Sequence, residues 1–365
     1  MNRSPLENKP LPPEDRVGYA LVGLGKLTLN ELVPAFRLSN CSKLTALVSD
    51  DREKALEIAR GLGLEEKDVY DYADYDRLAE RPDVNAVYIV LPNALHREYT
   101  ERAARIGKHV LCEKPLATSP EDAETMVRAC AEANRLLMTA YRMQYTPQLW
   151  AARDLIEKGD LGRLKFIEAV DGQTEDDPGA WRLKRDLAGG GALPDIGLYC
   201  LNTARFLTGE EPYEVFAYQY STPGDERFKE VEEAVYWTMR FPSGAVAHCT
   251  CSYDVAEAKY LRAHGQKGWL SLDPAFSYEG LRLEVVTEEG REVRQMREED
   301  QFRLEIDHFS ECILGGKRPF TPGEEGVQDQ RLMAAIYQSA AEGKPVRVER
   351  LEGKDLFRGA PPRRG

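Results

Sequence analysis

Residues 18–28 read Gly18-Tyr19-Ala20-Leu21-Val22-Gly23-Leu24-Gly25-Lys26-Leu27-Thr28. A short apolar run fit for a buried strand ends on two glycines. An amphipathic stretch over residues 26–38 follows, with Pro34 placed to bend or shift the helix. Two positions without side chains let backbone amides approach a pyrophosphate at a helix N-terminus. Thr28 stands where the usual fingerprint has a third glycine, which asks for looser helix–strand packing. Gly-rich turns are common; this one gains meaning from its place at the first strand–helix junction of an alternating series.

That series continues with strands predicted over residues 43–49, 85–91, 109–112 and 136–140. Helices are predicted over 52–62, 97–106 and 120–133. Such alternation indicates βαβ units and a parallel sheet covered on both faces. After about Arg142 the rhythm breaks. A helix over 147–158 precedes β-rich stretches at 164–172, 214–220, 232–241, 245–253, 260–264, 269–272 and 281–286, many joined by short turns, so mostly antiparallel pairs are expected. Helices over 195–207, 303–313 and 326–341 complete the reading. The expected organisation is a Pro-rich arm (1–16), a nucleotide-binding domain (17–142), a substrate and oligomerisation domain (143–350) and a Gly-, Pro- and Arg-rich tail (351–365) that frays after Asp355.

At 365 residues there is room for two cores, on a prior of about 150 residues per domain. With 42% hydrophobic and 30% charged residues, wholesale disorder is excluded. Lys plus Arg is 49 against 62 Asp plus Glu, a net charge of −13, which argues against a nucleic-acid scaffold or a polybasic membrane binder. No apolar run approaches the roughly 18 residues of a membrane span, and the polar, Pro-rich start carries no secretory signal. Seven scattered cysteines are odd in number. Cys249 and Cys251 share one face of a predicted strand, where buried thiols are expected rather than a zinc half-site. A reduced, cytoplasmic chain without a metal site follows.

Chemistry-bearing residues gather at strand ends, where ligands of open parallel sheets lie. The second strand runs into Ser49-Asp50-Asp51-Arg52-Glu53-Lys54. A carboxylate there would hold the 2′-hydroxyl of NAD, whereas a small hydroxyl with nearby cations suits a 2′-phosphate. Ser49, Arg52 and Lys54 favour NADP. Asp50 and Asp51 keep NAD possible, and Ser or Asp before a helix can simply cap it. The third strand ends Leu91-Pro92-Asn93 with His96 beyond it, and the fourth ends Cys112-Glu113-Lys114-Pro115. Lys114 can bond a substrate hydroxyl and, near another cation, lose its proton more easily; without that position it would be a solvated surface lysine. His96 reads as a packing or helix-terminus histidine. Within residues 181–199 (Trp181, Arg182, Lys184, Arg185, then Gly189-Gly190-Gly191, Asp195 and Tyr199) the glycines permit a loop hugging a ligand. Asp195 and Tyr199, four apart, share a helix face where both could meet a sugar hydroxyl. The plain alternative is a capping aspartate and a core tyrosine.

Taken in one order, Gly23-Leu24-Gly25-Lys26, Leu91-Pro92-Asn93 with His96, Glu113-Lys114-Pro115, Tyr141-Arg142 and the Gly189-to-Tyr199 segment resemble the Gfo/Idh/MocA family of oxidoreductases. Tyr70-Asp71-Tyr72, Trp181-Arg182-Leu183, Gly209-Glu210-Glu211-Pro212, Asp225-Glu226-Arg227-Phe228 and Pro322-Gly323-Glu324-Glu325-Gly326 are similar to its glucose–fructose oxidoreductase branch. The likeness covers residues 16–347. It implies an α/β fold: an N-terminal Rossmann doubly wound parallel sheet, then an α/β domain with a large open, mostly antiparallel sheet whose face packs against a partner in a homodimer or homotetramer. It implies catalytic roles for Lys114, Asp195 and Tyr199, where most members carry histidine in place of this tyrosine. The implied cofactor contacts are Gly23, Leu24, Gly25, Lys26, Leu27, Ser49, Lys54, Tyr72, Leu91, Pro92, Asn93, His96, Glu113, Lys114, Arg142, Trp181 and Arg182. Substrate would meet Lys114, Arg182, Asp195 and Tyr199, with Arg182, Lys184 and Arg185 able to accept an anion.

The branch's founding members carry an export signal and a longer arm over the cofactor; an arm of only residues 1–16 implies a cofactor that exchanges. The implied reaction is hydride transfer between C1 of an aldose or similar polyol and the nicotinamide of NADP. Two alternatives stay open: a simple aldose or dihydrodiol dehydrogenase with exchangeable NAD(P), and a non-catalytic NADP-binding regulator.

Overall fold

All six residues of β1 (Val17–Val22) are buried, so the strand must lie inside a sheet covered on both sides. The computed structural model, which describes residues 10–362, places it there. β1 pairs in parallel with β2 (Ser42–Val48) on one side and β4 (Ala86–Ile89) on the other. With β3 (Val69–Tyr70), β5 (His109–Glu113) and β6 (Leu137–Ala140) the order is β3-β2-β1-β4-β5-β6. The order reverses between β1 and β4, which opens a crevice beyond their carboxyl ends. β3 was not predicted, being too short to carry a periodic signal.

The helices Arg52–Leu62 and Pro147–Lys158 fall where periodicity puts them. Each is opened by a side-chain cap (Asp51 to the Lys54 amide, Thr146 to that of Leu149) and closed by a left-handed glycine (Gly63, Gly159). Pro34 lies within a continuous helical run, and the register shifts just ahead of it: the π-helical turn Thr28–Leu32 leads directly into Val33–Leu38.

The second sheet has nine strands in the order β14-β13-β12-β11-β7-β10-β9-β8-β15. They are β7 (Leu164–Thr174), β8 (Glu214–Tyr220), β9 (Ala234–Arg240), β10 (Val246–Ser252), β11 (Asp254–Gly265), β12 (Gly268–Leu272), β13 (Leu283–Thr287), β14 (Gly290–Arg294) and β15 (Val346–Arg347). Only β7–β10 is parallel. β14 and β15 escaped prediction because they are short, largely exposed edge strands. Cys249 and Cys251 lie buried on β10, and all seven cysteines are free. One sheet face carries the helices Pro147–Lys158, Leu198–Thr208 and Gly323–Glu342; the other is open and bears exposed Tyr218, Tyr220 and Tyr236.

The two halves interlock. Phe302, Ile306 and Phe309 of helix Gln301–Gly315 pack into the first domain's core, and Thr139 of β6 donates its amide to Thr321 at 2.8 Å.

The tail departs from expectation. It does not fray through the described residues: the Arg358 side chain is fully buried, its Nη2 2.7 Å from Glu325, and Gly359 donates its amide to Phe320. The reason is charge. Buried Arg205 meets three carboxylates, Glu211, Glu325 and Asp329, and a second cation is needed to balance them. Composition cannot register one such arginine. Residues 1–9 of the arm lie outside the described residues; Leu11 donates its amide to Asn40, on the β2 side of the first domain.

Replacing Arg358 with Ala should therefore lower unfolding stability by about 3 kcal/mol in urea titrations, the cost of stranding a buried carboxylate. A frayed tail would leave the midpoint unchanged.

Candidate active site

The turn after β1 is shaped for close approach. Gly23 has φ +95°, and a Cβ there would lie 2.3 Å from the Val90 carbonyl oxygen. At Gly25 a Cβ would meet nothing within 4 Å among the described residues; it would project into open space beside the helix start. Thr28, in the third-glycine position, is fully buried and donates its hydroxyl to the Gly23 carbonyl at 2.7 Å. The chain makes room for it by a π-helical turn, Thr28–Leu32.

This turn forms one end of a cleft of about 1330 Å³ walled by both domains. Of the residues implicated by sequence, Gly23, Leu24, Gly25, Lys26, Leu27, Ser49, Lys54, Tyr72, Leu91, Pro92, Asn93, Glu113, Lys114, Arg142, Trp181, Arg182, Asp195 and Tyr199 all line it. His96 turns inward instead. Its ring nitrogens sit 2.9 Å from the carbonyl oxygens of Pro115 and Leu91, so it braces two strand-end loops rather than facing a cofactor. Burial lowers its pKa, and a neutral ring donates from one nitrogen only.

The three glycines hug the protein and not a ligand. Cβ atoms at Gly189, Gly190 and Gly191 would strike Thr118, the Tyr337 hydroxyl and the Glu232 carbonyl, at 2.9, 2.0 and 2.1 Å. This tight seat fixes the chain entering Leu193–Gly197, a second π-helical turn, which runs into helix Leu198–Thr208.

Asp195 lies in that turn and caps nothing. Its Oδ1 accepts from Lys114 Nζ at 2.9 Å, and its main-chain oxygen accepts from the same Nζ at 2.6 Å. Its Oδ2 lies 3.1 Å from Arg182 Nε and accepts the Tyr253 hydroxyl at 2.7 Å. Burial alone would raise this carboxyl, but Lys114 and Arg182 hold it well below the usual carboxylate range. Burial likewise works against the Lys114 ammonium, and Asp195 outweighs it, so Lys114 is held charged. The expected readier loss of its proton is thus reversed: the dominant neighbour is an anion.

Tyr199 sits against two cations. Arg142 Nε donates to its hydroxyl at 3.1 Å with the guanidinium 4.6 Å from the ring centre, and Lys114 Nζ lies 4.8 Å from the same centre. Phe276 stacks on the far side at 6.0 Å. Arg142 is itself buried and fixed by Gln301 and the Phe276 carbonyl. Sequence reasoning placed Arg142 at the cofactor and missed its bond to Tyr199. It also missed Tyr253, Phe276 and Gln301, which carry no local motif and arrive from distant connecting segments and a helix start.

At the β2 end, Ser49 accepts the Asp51 amide at 3.2 Å, and Asp51 caps helix Arg52–Leu62. Lys54 Nζ bonds the Leu24 carbonyl at 2.6 Å, which ties the helix to the glycine turn. Arg52 makes an exposed pair with Glu66. Lys184 Nζ lies 3.7 Å from the Glu230 carboxylate and Arg185 Nε donates to the Glu230 main-chain oxygen, and neither side chain lines the cleft. Among the described residues no group of three His, Cys, Asp or Glu side chains is placed to share a metal ion. The open space beside Gly25, opposite the Lys114–Tyr199 cluster, fits a dinucleotide laid across the crevice.

Comparison with known proteins agrees with this geometry. Residues 17–141 match "Oxidoreductase family, NAD-binding Rossmann fold", and residues 153–348 match "Oxidoreductase family, C-terminal alpha/beta domain" of Gfo/Idh/MocA. The chain is 34% identical over 344 residues to D-xylose 1-dehydrogenase [NADP(+)] of Haloarcula marismortui, covering 92% of this chain and 94% of that protein. It is 30% identical to 1,5-anhydro-D-fructose reductase of Ensifer adhaerens, covering 91% and 98%. The crystal structure of aldose–aldose oxidoreductase from Caulobacter crescentus, complexed with glycerol, superposes with a TM-score of 0.89 at 42% identity, covering 91% and 100%. None of these three is a glucose–fructose oxidoreductase, so the family likeness holds while the branch rests on the motif residues alone. With both domain matches and full-length relatives in agreement, the chain belongs to the Gfo/Idh/MocA family of NAD(P)-dependent oxidoreductases.

Proposed function

We propose that the protein is an NADP-dependent aldose oxidoreductase of the glucose–fructose oxidoreductase type, acting at C1 of a neutral sugar. The observation that carries the reading is the meeting of Lys114, Asp195, Arg142 and Tyr199 in one cleft with the glycine turn. When bound, the nicotinamide takes up or supplies the hydride. Tyr199 Oη takes the C1 hydroxyl proton in the oxidising direction and returns it in the reducing one. Arg142 and Lys114, fixed as cations, stabilise the negative charge which that oxygen carries in between. Asp195, fully charged, accepts from a neighbouring hydroxyl and fixes the ring's orientation.

A neutral sugar is favoured because Arg182 is already paired with Asp195, while Lys184 and Arg185 do not line the cleft. The relatives named for xylose and for aldoses support the substrate class. NADP is favoured over NAD by Ser49 at the strand end and by Arg52, whose exposed pair with Glu66 is worth little and can be given up to a 2′-phosphate. The open tyrosine-bearing sheet face supports a homodimer or homotetramer, and seven unpaired cysteines support a reducing, cytoplasmic setting.

A second reading, an aldose dehydrogenase that releases its cofactor each cycle, is supported by the relative named D-xylose 1-dehydrogenase [NADP(+)]. Absorbance and fluorescence of protein purified without added nucleotide separate the two. Retained nicotinamide supports the oxidoreductase that alternates two sugars, and apo protein supports the dehydrogenase.

Changing Tyr199 to Phe should lower kcat by about a thousandfold while NADP binding, followed by fluorescence, stays within about threefold. Near-normal turnover would refute the proton-transfer role. For the cofactor, Arg52→Ala should cut the NADP-over-NAD preference in kcat/KM roughly tenfold. An unchanged ratio would place the 2′-phosphate elsewhere.

A further inference from the structure

β7 alternates cleanly. Glu168 and Val170 face the open side of the sheet, and Ala169, Asp171 and Gln173 face the other. Toward its carboxyl end that second face emerges from under the helices and becomes the floor of the cleft, where Asp171 and Gln173 stand. Asp171 is 1% exposed, yet its Oδ1 has no hydrogen-bond partner among the described residues. Lys259 of β11 lies across from it in register and lines the same floor, but its Nζ is turned to Glu257 at 2.9 Å.

A buried carboxylate oxygen left without a partner is costly, and folding gives no return for it here. Burial pushes the group up to about 7, against the pull of Lys259, Arg142 and Lys114. It is neither needed for an ion pair nor used by the proton-transfer cluster.

What could satisfy it is limited by its surroundings. An ammonium ligand would meet Lys114, Arg142 and Lys259 in the same cleft. An anionic ligand would meet Asp171 itself, with Asp195 close by. A neutral ligand rich in hydroxyls meets neither penalty, because each hydroxyl can donate to a carboxylate or accept from a cation.

We propose that Asp171 anchors one hydroxyl of the sugar away from its reacting carbon, and thereby selects which polyols the cleft accepts. The proposal rests on the aldose reading above and adds a residue to it. Asp171 acts as a specificity anchor, leaving proton transfer to Tyr199.

The test compares D-glucose and D-xylose with their single-deoxy analogues, in the wild type, Asp171→Ala and the near-isosteric Asp171→Asn. In the wild type assayed at about pH 8, above the point to which burial pushes Asp171, one deoxy position should cost roughly 10- to 100-fold in kcat/KM, the worth of a hydrogen bond to a charged group. In Asp171→Ala that same omission should cost less than about twofold, and in Asp171→Asn, whose amide oxygen still accepts but carries no charge, at most about a third of the wild-type penalty. KM for the parent sugar should rise while kcat changes by less than about threefold, and NADP binding should be unaltered. Should Asp171→Ala fail to fold, the Asn variant alone decides. Equal deoxy penalties in wild type and variant, at every position, overturn the anchor and leave the aldose reaction standing. A wild type that turns over no aldose overturns that reaction and the anchor with it, and is established before any variant is compared.

Discussion

The active cleft depends on one buried ion pair. Lys114 stands at the end of β5 in the first domain and Asp195 in the π turn of the second; their side chains are 12% and 17% exposed and meet at 2.9 Å. Taking two charges out of water is expensive, and such a pair is sustained only when its remaining bonding capacity is filled. Here it is. Lys114 also binds the main-chain oxygen of Asp195, while Arg182 and Tyr253 fill the second carboxylate oxygen. The pair therefore does more than join two domains. It sets the angle at which Tyr199, one turn further along, faces the end of the Rossmann sheet.

That arrangement divides the chemistry by charge. A lysine beside a carboxylate stays charged, so Lys114 cannot serve as a mobile base. Its contribution is a fixed positive field over the Tyr199 ring. Arg142 adds a second fixed cation, and because it is buried and bonded to Gln301 and Phe276, its field does not relax with solvent. Both cations therefore bear on Tyr199, the residue to which the proposed reaction gives proton exchange.

Much of this was legible in the chain. The strand-to-glycine passage at Val22–Gly23, the helix cap at Asp51 and the alternation up to Arg142 are local patterns, and local patterns survive into structure. The motif around Lys114 pointed to the cleft because strand ends in a parallel sheet face one way, whereas Tyr199, on a helix of the second domain, was placed there by the family resemblance. What was illegible was non-local. Nothing near Arg358 marks it as the balance for Glu325, and nothing near Tyr253 marks it as the partner of Asp195, 58 residues away. The three glycines misled for a related reason: absence of a side chain permits close approach, but sequence does not say to what.

The two π turns carry the last step of this logic. One follows the nucleotide glycines at Thr28–Leu32, directly behind cleft-lining Leu27, and the other holds Asp195 in the cleft at Leu193–Gly197. In a regular α-helix a carbonyl is engaged by the amide four residues on; widening the turn relaxes that register. At Thr28 the wider turn admits a side chain where the fingerprint expects none. At Asp195 it leaves the main-chain oxygen placed for Lys114, so the same lysine grips both the backbone and the side chain of one residue. A helix of ordinary register would bring Asp195 and Tyr199 to one face, as their spacing suggests, but would hold Lys114 by the carboxylate alone. The irregularity makes the grip two-pointed, and two points of attachment fix an orientation that one point leaves free to rotate.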